Sequence, residues 1–503
     1  MTAPTPPTPI DAASADVRDR LGATTVEVPS AVLDRIAASG ATVLTDDESR
    51  AEAGRDWWPL AIGWAAEGAV PQRPAVVVRP DSTAQVAEIL AACNEAVVPV
   101  TAAAGRSGVC GGSIPVHGGV ALDMTALDGL VGVDETSLTA DVRAGTFGPD
   151  LETALGKVGA GYTLGHWPQS MDLSTVGGWL ACRGAGQYST RYGKIEDMVI
   201  GLEVVLADGR IVRTEGRGPR AATGPNLTQL FVGSEGTLGV ITEARLRLHP
   251  LPIGQERRAF GFSTFADGLH ACRRILRRGA TPAVLRLYDQ TESARNFDQP
   301  DTNVLIVLDE ADLDILSGTL AIVDAECSPE SGAGPLDREL VERWLGHRND
   351  VSALAPLWRA GIVVDTAEVS GPWAVLPDLF DDVTTALSSI EGTLAASAHQ
   401  SHAYTDGACL YFTFGGRGPE GDAEWRERYY RQAWDVITDA TMAHGAAISH
   451  HHGIGLNRSR FLPRALGSGF EVLRGLKETF DPVGILNPGK FGLASPFGPP
   501  PWA

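Results

Sequence analysis

The chain has 503 residues, 44% of them hydrophobic, and a formal charge of −21. That length exceeds what one core usually organises and predicts two or more folded domains. The acidity excludes nucleic acid or an anionic membrane surface as the main partner, since both reward basic patches. Positive charge is nearly all arginine, with Lys157, Lys194, Lys477 and Lys490 the only lysines, so an anionic substrate would need locally placed arginines. Six cysteines without C-x-x-C spacing suit a reducing compartment and indicate no metal-thiolate site. No apolar run approaches the roughly 18 residues of a membrane helix, and no leader pattern opens the chain, so the expected location is the cytoplasm.

Residues 1 to about 12 are rich in Pro and Thr and read as disordered. Residues 13–70 read as helical, with an aromatic cluster at Trp57, Trp58 and Trp64, so 1–70 is an N-terminal helical extension. From Pro74 the pattern changes. Ala75–Val78 is a short strand, Asp81-Ser82-Thr83 caps an amphipathic helix, and Val97–Thr101 is a second strand, which makes a β-α-β unit. The loop that follows holds Ala104, Gly105, Arg106, Ser107, Gly108 and Gly111, and leads to a strand at Gly119–Asp123. Its small residues and main-chain donors can form an anion-binding nest. It lacks the G-x-G-x-x-G order and the later acidic residue of a dinucleotide-binding Rossmann unit.

Strands continue at Thr139–Arg143, Glu203–Leu206 and Ile211–Arg213, the last two joined by the turn Ala207-Asp208-Gly209. A second glycine-rich loop spans 174–186. A third, within 225–243, sets Gly233, Gly236 and Gly239 at three-residue intervals between apolar segments, a spacing that lets backbone lie flat against a large ligand. Residues 251 to about 440 alternate helix and strand patterns at lower glycine density and read as a separate domain. Within it, Ala408–Phe414 sets Leu410, Phe412 and Phe414 on one face against Cys409, Tyr411 and Thr413 on the other, a strand with Tyr411 pointing away from the packed side. The triplet His450-His451-His452 before Gly453 has three readings, as metal ligands, as a surface run or as proton-transfer groups. In an extended segment three neighbouring imidazoles cannot all converge on one ion, because they alternate sides. No internal repeat is evident.

Several motifs in the same order carry a resemblance. The run Pro74 to Pro80, the loop at 104–113, Gly165-His166-Trp167-Pro168-Gln169-Ser170 leading into Ser174-Thr175-Val176-Gly177-Gly178, and Gly233 to Thr242 together resemble the vanillyl-alcohol oxidase / p-cresol methylhydroxylase flavoprotein family. The likeness spans most of residues 74–492. Tyr192 to Asp197, Thr223-Gly224-Pro225, Leu285-Arg286-Leu287-Tyr288-Asp289, Asp406 to Phe412 and Ser449 to Gly453 are similar to its alkyldihydroxyacetonephosphate synthase branch.

The resemblance implies an α+β fold: a two-subdomain FAD-binding domain at 71–250, an α+β cap at 251–440, and a C-terminal segment at 441–503 returning to the flavin site. It implies FAD held without a covalent bond. The cofactor-binding residues it implies are the 104–111 loop named above, then Gln169, Ser170, Ser174, Thr175, Gly177 and Gly178. To these it adds Glu235, Gly236, Gly239 and Ile241, with Asn487 and Lys490 approaching from the C-terminal segment. Tyr411, His450, His451, His452 and Arg286 are the implied catalytic residues, Tyr411 as acid/base and Arg286 as holder of the substrate; Arg183 is a weaker candidate. The implied reaction exchanges an acyl for an alkyl group through a flavin N5 adduct on a small-molecule or lipid-like substrate, in a possible homodimer. The alternative is an FAD-linked oxidase or dehydrogenase of a hydroxy acid or alcohol. Related 2-hydroxyacid dehydrogenases bind a divalent ion with paired histidines and an acidic residue before His-Gly. Here His451 and the Cys409 strand replace two of those positions, so no metal is expected.

Overall fold

Short β-branched runs set the first sheet. Val76–Arg79 and Val100–Ala103 both lie parallel to Val120–Asp123, which sits between them, and Thr42–Leu44 adds an antiparallel edge. In this computed structural model, which describes residues 17–22, 25–214, 220–350, 354–419, 422, 424–499 and 502, the helix Thr83–Ala96 crosses between the first two strands. Ser82 caps it, its hydroxyl accepting from Gln85 N at 3.4 Å, and Val86, Ile89, Leu90 and Cys93 face the core.

Two expectations change. The second strand starts at Val100 because Val97 takes a left-handed turn at the helix end (φ 55°) and Pro99 has no N–H to pair. The segment before residue 70 is not purely helical: Thr42–Leu44 pairs with Val76–Arg79, where its β-branched residues find a partner strand. The first dozen residues, expected to be disordered, lie outside the described residues.

A five-stranded antiparallel sheet follows, in the order Ile211–Arg213, Val199–Val205, Val240–Arg247, Thr139–Arg143, Leu130–Asp134. The boundary expected near 250 falls just before a third sheet, seven antiparallel strands ordered Ala333–Leu336, Gly254–Phe262, Asn303–Ala311, Val284–Tyr288, Thr393–Ala403, Gly407–Arg417, Ile362–Pro372. Helices cover one face of this sheet. There Leu410, Phe412 and Phe414 join the largest core, with Leu269 and Ile275 from Phe265–Arg277, Leu379 and Val383 from Leu376–Ser388, and Tyr430 and Trp434 from Trp425–Ala443. The opposite face turns toward the first two sheets.

Both flanking segments lace these parts together. Trp58, fully buried, donates its indole N–H to Tyr430 Oη at 2.9 Å and packs edge-on against Trp64 and Trp502. Further on, Val100 N donates to Ile485 O and Asn487 N to Val100 O, so the late segment adds itself to the edge of the first sheet. Among the described residues no helix is long and apolar enough to cross a membrane.

Because Trp58 joins the early segment to the capping helices, Trp58→Ala is expected to cost about 3–5 kcal/mol, the range for truncating a buried aromatic. Thermal or urea unfolding of the purified protein reads this directly, and a loss below about 1 kcal/mol would show that the segment is not anchored there.

Candidate active site

The three sheets enclose one long cleft, and the glycine-rich loops line it. Gly105 passes so close to the second loop that a Cβ there would lie 1.9 Å from Leu173 O, which leaves no room for any side chain. The main-chain N–H groups of Arg106, Ser107 and Gly108 find no acceptor among the described residues. Arg106 adopts a left-handed conformation (φ 51°), and its buried Nε and Nη2 have no hydrogen-bond partner among the described residues. Of the residues expected to hold a cofactor, Ala104, Gly105, Arg106, Ser107, Gly108, Gln169, Ser170, Ser174, Thr175, Gly177, Gly178, Glu235, Gly236, Gly239 and Ile241 line the cleft.

Gly111, Asn487 and Lys490 do not. Asn487 Nδ2 donates to Gly112 O at 2.9 Å and Glu235 O at 2.7 Å, while Lys490 Nζ donates to Ile114 O at 2.7 Å and Asn487 Oδ1 at 3.2 Å. They stand behind the wall and brace the first and third loops. Burial pulls Lys490 down to about 7. Some lining hydroxyls are also spent locally: Ser174 donates to Ser170 O and accepts from Trp179 Nε1, and Thr175 caps the helix Val176–Cys182. Both oxygens of Glu235 accept main-chain N–H groups, Ile454 N at 2.6 Å and Gly455 N at 2.9 Å, so its carboxylate fastens the histidine segment to the third loop.

The cleft-facing side of the seven-stranded sheet carries the chemistry. Direct cross-strand pairing puts Glu368 opposite Tyr411, Tyr411 opposite His399, and His399 opposite Tyr288, all in one row. As expected, Tyr411 turns away from the packed face; its hydroxyl lies 3.1 Å from His452 Nε2. His452 Nδ1 is 3.1 Å from Glu368 Oε2, an ion-pair distance outside hydrogen-bonding alignment. Burial raises the Tyr411 phenol above its ordinary range, so it is a protonated donor at neutral pH. Burial alone would push Glu368 up, but Arg458 and His452 hold it well below the usual carboxylate range.

Glu368 also organises the histidine segment. Its Oε1 accepts Ser449 Oγ at 2.7 Å, His452 N at 2.8 Å, His451 N at 3.1 Å and Arg458 Nη1 at 3.0 Å, and its Oε2 accepts Arg458 Nη2. Gly455 then passes Cys110 with φ 53°, where a Cβ would lie 2.1 Å from Cys110 O. The segment therefore bends. His451 and His452 reach the cleft, whereas His450 stays in the wall with Nε2 at 3.0 Å from Tyr404 Oη. Arg286 lines the cleft beside the rings of Tyr288 and Trp344, with one Nη bonded to His399 Nε2 and Nε unpartnered. It is no surface partner of Asp289, which caps the next helix instead. Arg183 turns to Glu196, away from the cleft.

The bend has a further result. His402, Cys409, His450 and His451 offer ligand atoms within 4.8 Å of one another. Two neighbouring imidazoles do meet, His450 Nδ1 lying 2.9 Å from His451 Nδ1, and only His452 turns the other way. Burial holds all three clustered histidines well below their ordinary range, and Lys194 and Arg286 press positive charge on His402. His and Cys donors suit zinc, and it is the two neighbouring cations that oppose a dication at this cluster.

Several residues escaped the sequence reading. Glu368 and Asp365 are charged positions inside the apolar strand Ile362–Pro372, a pattern that marks them. Arg458, His399 and Glu292 gave no such sign, because their partners lie far away in sequence.

Residues 74–215 match the family model of an FAD binding domain, and residues 255–491 that of the C-terminal domain of FAD linked oxidases. The chain is 32% identical over 430 residues to the uncharacterized FAD-linked oxidoreductase YgcU of Escherichia coli K12, covering 83% of this chain and 88% of that one. It is 31% identical over 458 residues to alkyldihydroxyacetonephosphate synthase of Dictyostelium discoideum, covering 84% and 74%. Over 442 residues it is 30% identical to the glycolate oxidase subunit GlcD of Bacillus subtilis, covering 83% and 88%. A solved alkyldihydroxyacetonephosphate synthase superposes with a TM-score of 0.76 at 27% identity over 93% of this chain and 87% of that one. p-Cresol methylhydroxylase shares the fold, with a TM-score of 0.75 at 16% identity over 92% and 96%.

The cleft suits FAD. It offers unspent main-chain donors at 106–108, and buried Arg106 nitrogens, Ser113 Oγ and both ring nitrogens of His166 without partners, all facing one cavity. Gly105→Ala is expected to abolish FAD retention while leaving the circular dichroism spectrum intact; stoichiometric flavin on the purified variant would contradict this use of the loop. Metal analysis should find no stoichiometric transition metal, and chelation should leave turnover unchanged. Zinc or manganese lost together with activity would overturn the charge argument.

Proposed function

The chain belongs to the family of FAD-linked oxidases and is an FAD-dependent enzyme, and from that premise we propose that it exchanges an acyl for an alkyl group on an anionic ketone substrate. In this exchange the ester oxygen leaves with its acyl group as a carboxylate, and an alcohol oxygen takes its place, so no net oxidation occurs. The observation that supports this reading most is the Tyr411–His452–Glu368 group beside Arg286 on one wall of the cleft.

When bound, FAD supplies an electron-accepting ring system that such chemistry needs. Arg286, with a free Nε and a planar fork, takes the anionic group of the substrate and fixes its direction. Tyr411 gives its phenolic proton to a developing oxygen anion, and His452, held by Glu368, exchanges that proton with the hydroxyl. His451 lies at the cleft beside them and contacts the entering alcohol. A second reading, oxidation of a hydroxy acid, uses the same Tyr411 and His452 to take a hydroxyl proton; it is favoured by the likeness to a glycolate oxidase subunit. FAD is held without a covalent bond, and the protein works on small or lipid-like substrates.

The test mixes FAD-loaded protein anaerobically with an acyl-dihydroxyacetone phosphate and a long-chain alcohol. Ether product detected by mass spectrometry, without any added electron acceptor, is the expected result. Flavin bleaching by a hydroxy acid with no ether formed would select the second reading. Tyr411→Phe should lose about a hundredfold to ten-thousandfold in rate with an intact flavin spectrum; near-full activity would refute its role. Arg286→Lys and His451→Ala should also impair turnover, and denaturation should release the flavin.

A further inference from the structure

His399 and Glu292 sit beside the site without touching the region where substrate would bind. Tyr288 and Tyr411 are the direct cross-strand neighbours of His399 on either side. Its ring is stacked 4.9 Å from Tyr411 at 17° and lies 5.1 Å from Tyr288 at 31°, so it is sandwiched and cannot turn. One nitrogen, Nδ1, meets Glu292 Oε2 at 2.7 Å, and the other meets Arg286. We propose that His399, clamped by Glu292, is a positioning residue that sets the Arg286 guanidinium and the Tyr411 ring relative to one another. This rests on the reading above that Arg286 and Tyr411 meet substrate.

The partners decide the tautomer. A carboxylate at Nδ1 requires the proton there, which leaves the Nε2 lone pair facing a guanidinium that can only donate. Charge agrees with this arrangement. Burial, then Arg286, brings His399 down to about 4, so the imidazole is neutral. Burial works against the charge of Glu292, yet His399 and Arg295 bring its carboxyl to about 2. Glu292 also divides its oxygens by task. Thr413 Oγ1 at 2.7 Å, Ser397 Oγ at 3.3 Å and Arg295 at 3.3 Å all use Oε1, so Oε2 is left to His399. A carboxylate present only to knit strands together would not set one oxygen aside for an imidazole that carries a guanidinium.

The division of oxygens makes the test specific. Glu292→Gln disturbs the His399 bond, and His399→Phe keeps the stacked ring but removes the bond to Arg286. Each should lower kcat/KM for the anionic substrate on the order of tenfold to a hundredfold, the range usual for losing an orienting partner. In an Arg286→Lys background each should add less than about twofold, because the effect passes through Arg286. Thr413→Val, which touches Oε1 alone, should retain activity within about threefold and serves as the folding control. Independently of turnover, nitrogen-15 NMR of histidine-labelled, FAD-loaded protein should show the His399 signal, identified by its loss in His399→Phe, with Nδ1 protonated and Nε2 bare between about pH 6 and 8. Full additivity with Arg286→Lys, or an Nε2-protonated His399, would overturn the proposal. If neither the ester exchange nor hydroxy-acid oxidation is found, the functional reading fails while the NMR result still decides the clamp.

Discussion

A buried ion pair holds the site together. Glu368 and Arg458 are both fully buried, and each would be a severe penalty alone, since removing one partner of such a pair costs about 3–5 kcal/mol through the stranded charge. Their bond does more than cancel charge. Glu368 comes from the strand Ile362–Pro372, the last one in sequence before the Tyr411 hairpin, and Arg458 from the segment after the histidines. The three main-chain N–H groups of His450, His451 and His452 all end on the same oxygen, Oε1, which fixes the bend that sends His450 into the wall and the other two to the cleft. Remove that anchor and the histidines have no defined facing.

A second carboxylate repeats the device from the other side of the cleft. Glu235, on the third glycine-rich loop, takes the N–H groups of Ile454 and Gly455, a few residues beyond the Glu368 contacts. Burial lifts Glu235 to about 6, and the two N–H bonds and Lys490 oppose that rise. The histidine segment is therefore tied to the cap sheet by one acid and to the cofactor-facing loops by another. The spacing between the histidines and the glycine-rich wall is a joint property of both halves, and neither half defines it alone.

Local order was legible in the sequence wherever short-range physics decides it. The helix capped by Ser82, the hairpin at Ala207–Gly209 and the two faces of the Tyr411 strand followed from caps, turns and alternation. The glycine loops were visible as places of close backbone approach, and Gly105 meets that demand against Leu173 O. What local pattern does not display has a common cause. The side chains of Asn487 and Lys490 satisfy buried carbonyls of loops 375 or so residues away. The rule that adjacent imidazoles diverge assumed an extended strand, and it gave way at His450 and His451 because Glu368 and Gly455 bend the backbone. Glu292 and His399, 107 positions apart, become neighbours only through strand register.

The lacing of Ile485 and Asn487 onto Val100 bears on how the molecule is made. During synthesis the strands of the first sheet leave the ribosome with one edge open and with the third loop lacking the N–H groups that Glu235 will accept. Nearly four hundred residues must follow Val100 before its partners arrive, and the separation between Glu235 and Ile454 is 219. Contacts of such sequence separation form late and slowly. The nascent chain thus has an unfinished cofactor cradle and an unpaired β-edge for most of its translation, which makes that interval the period of greatest exposure to mispairing.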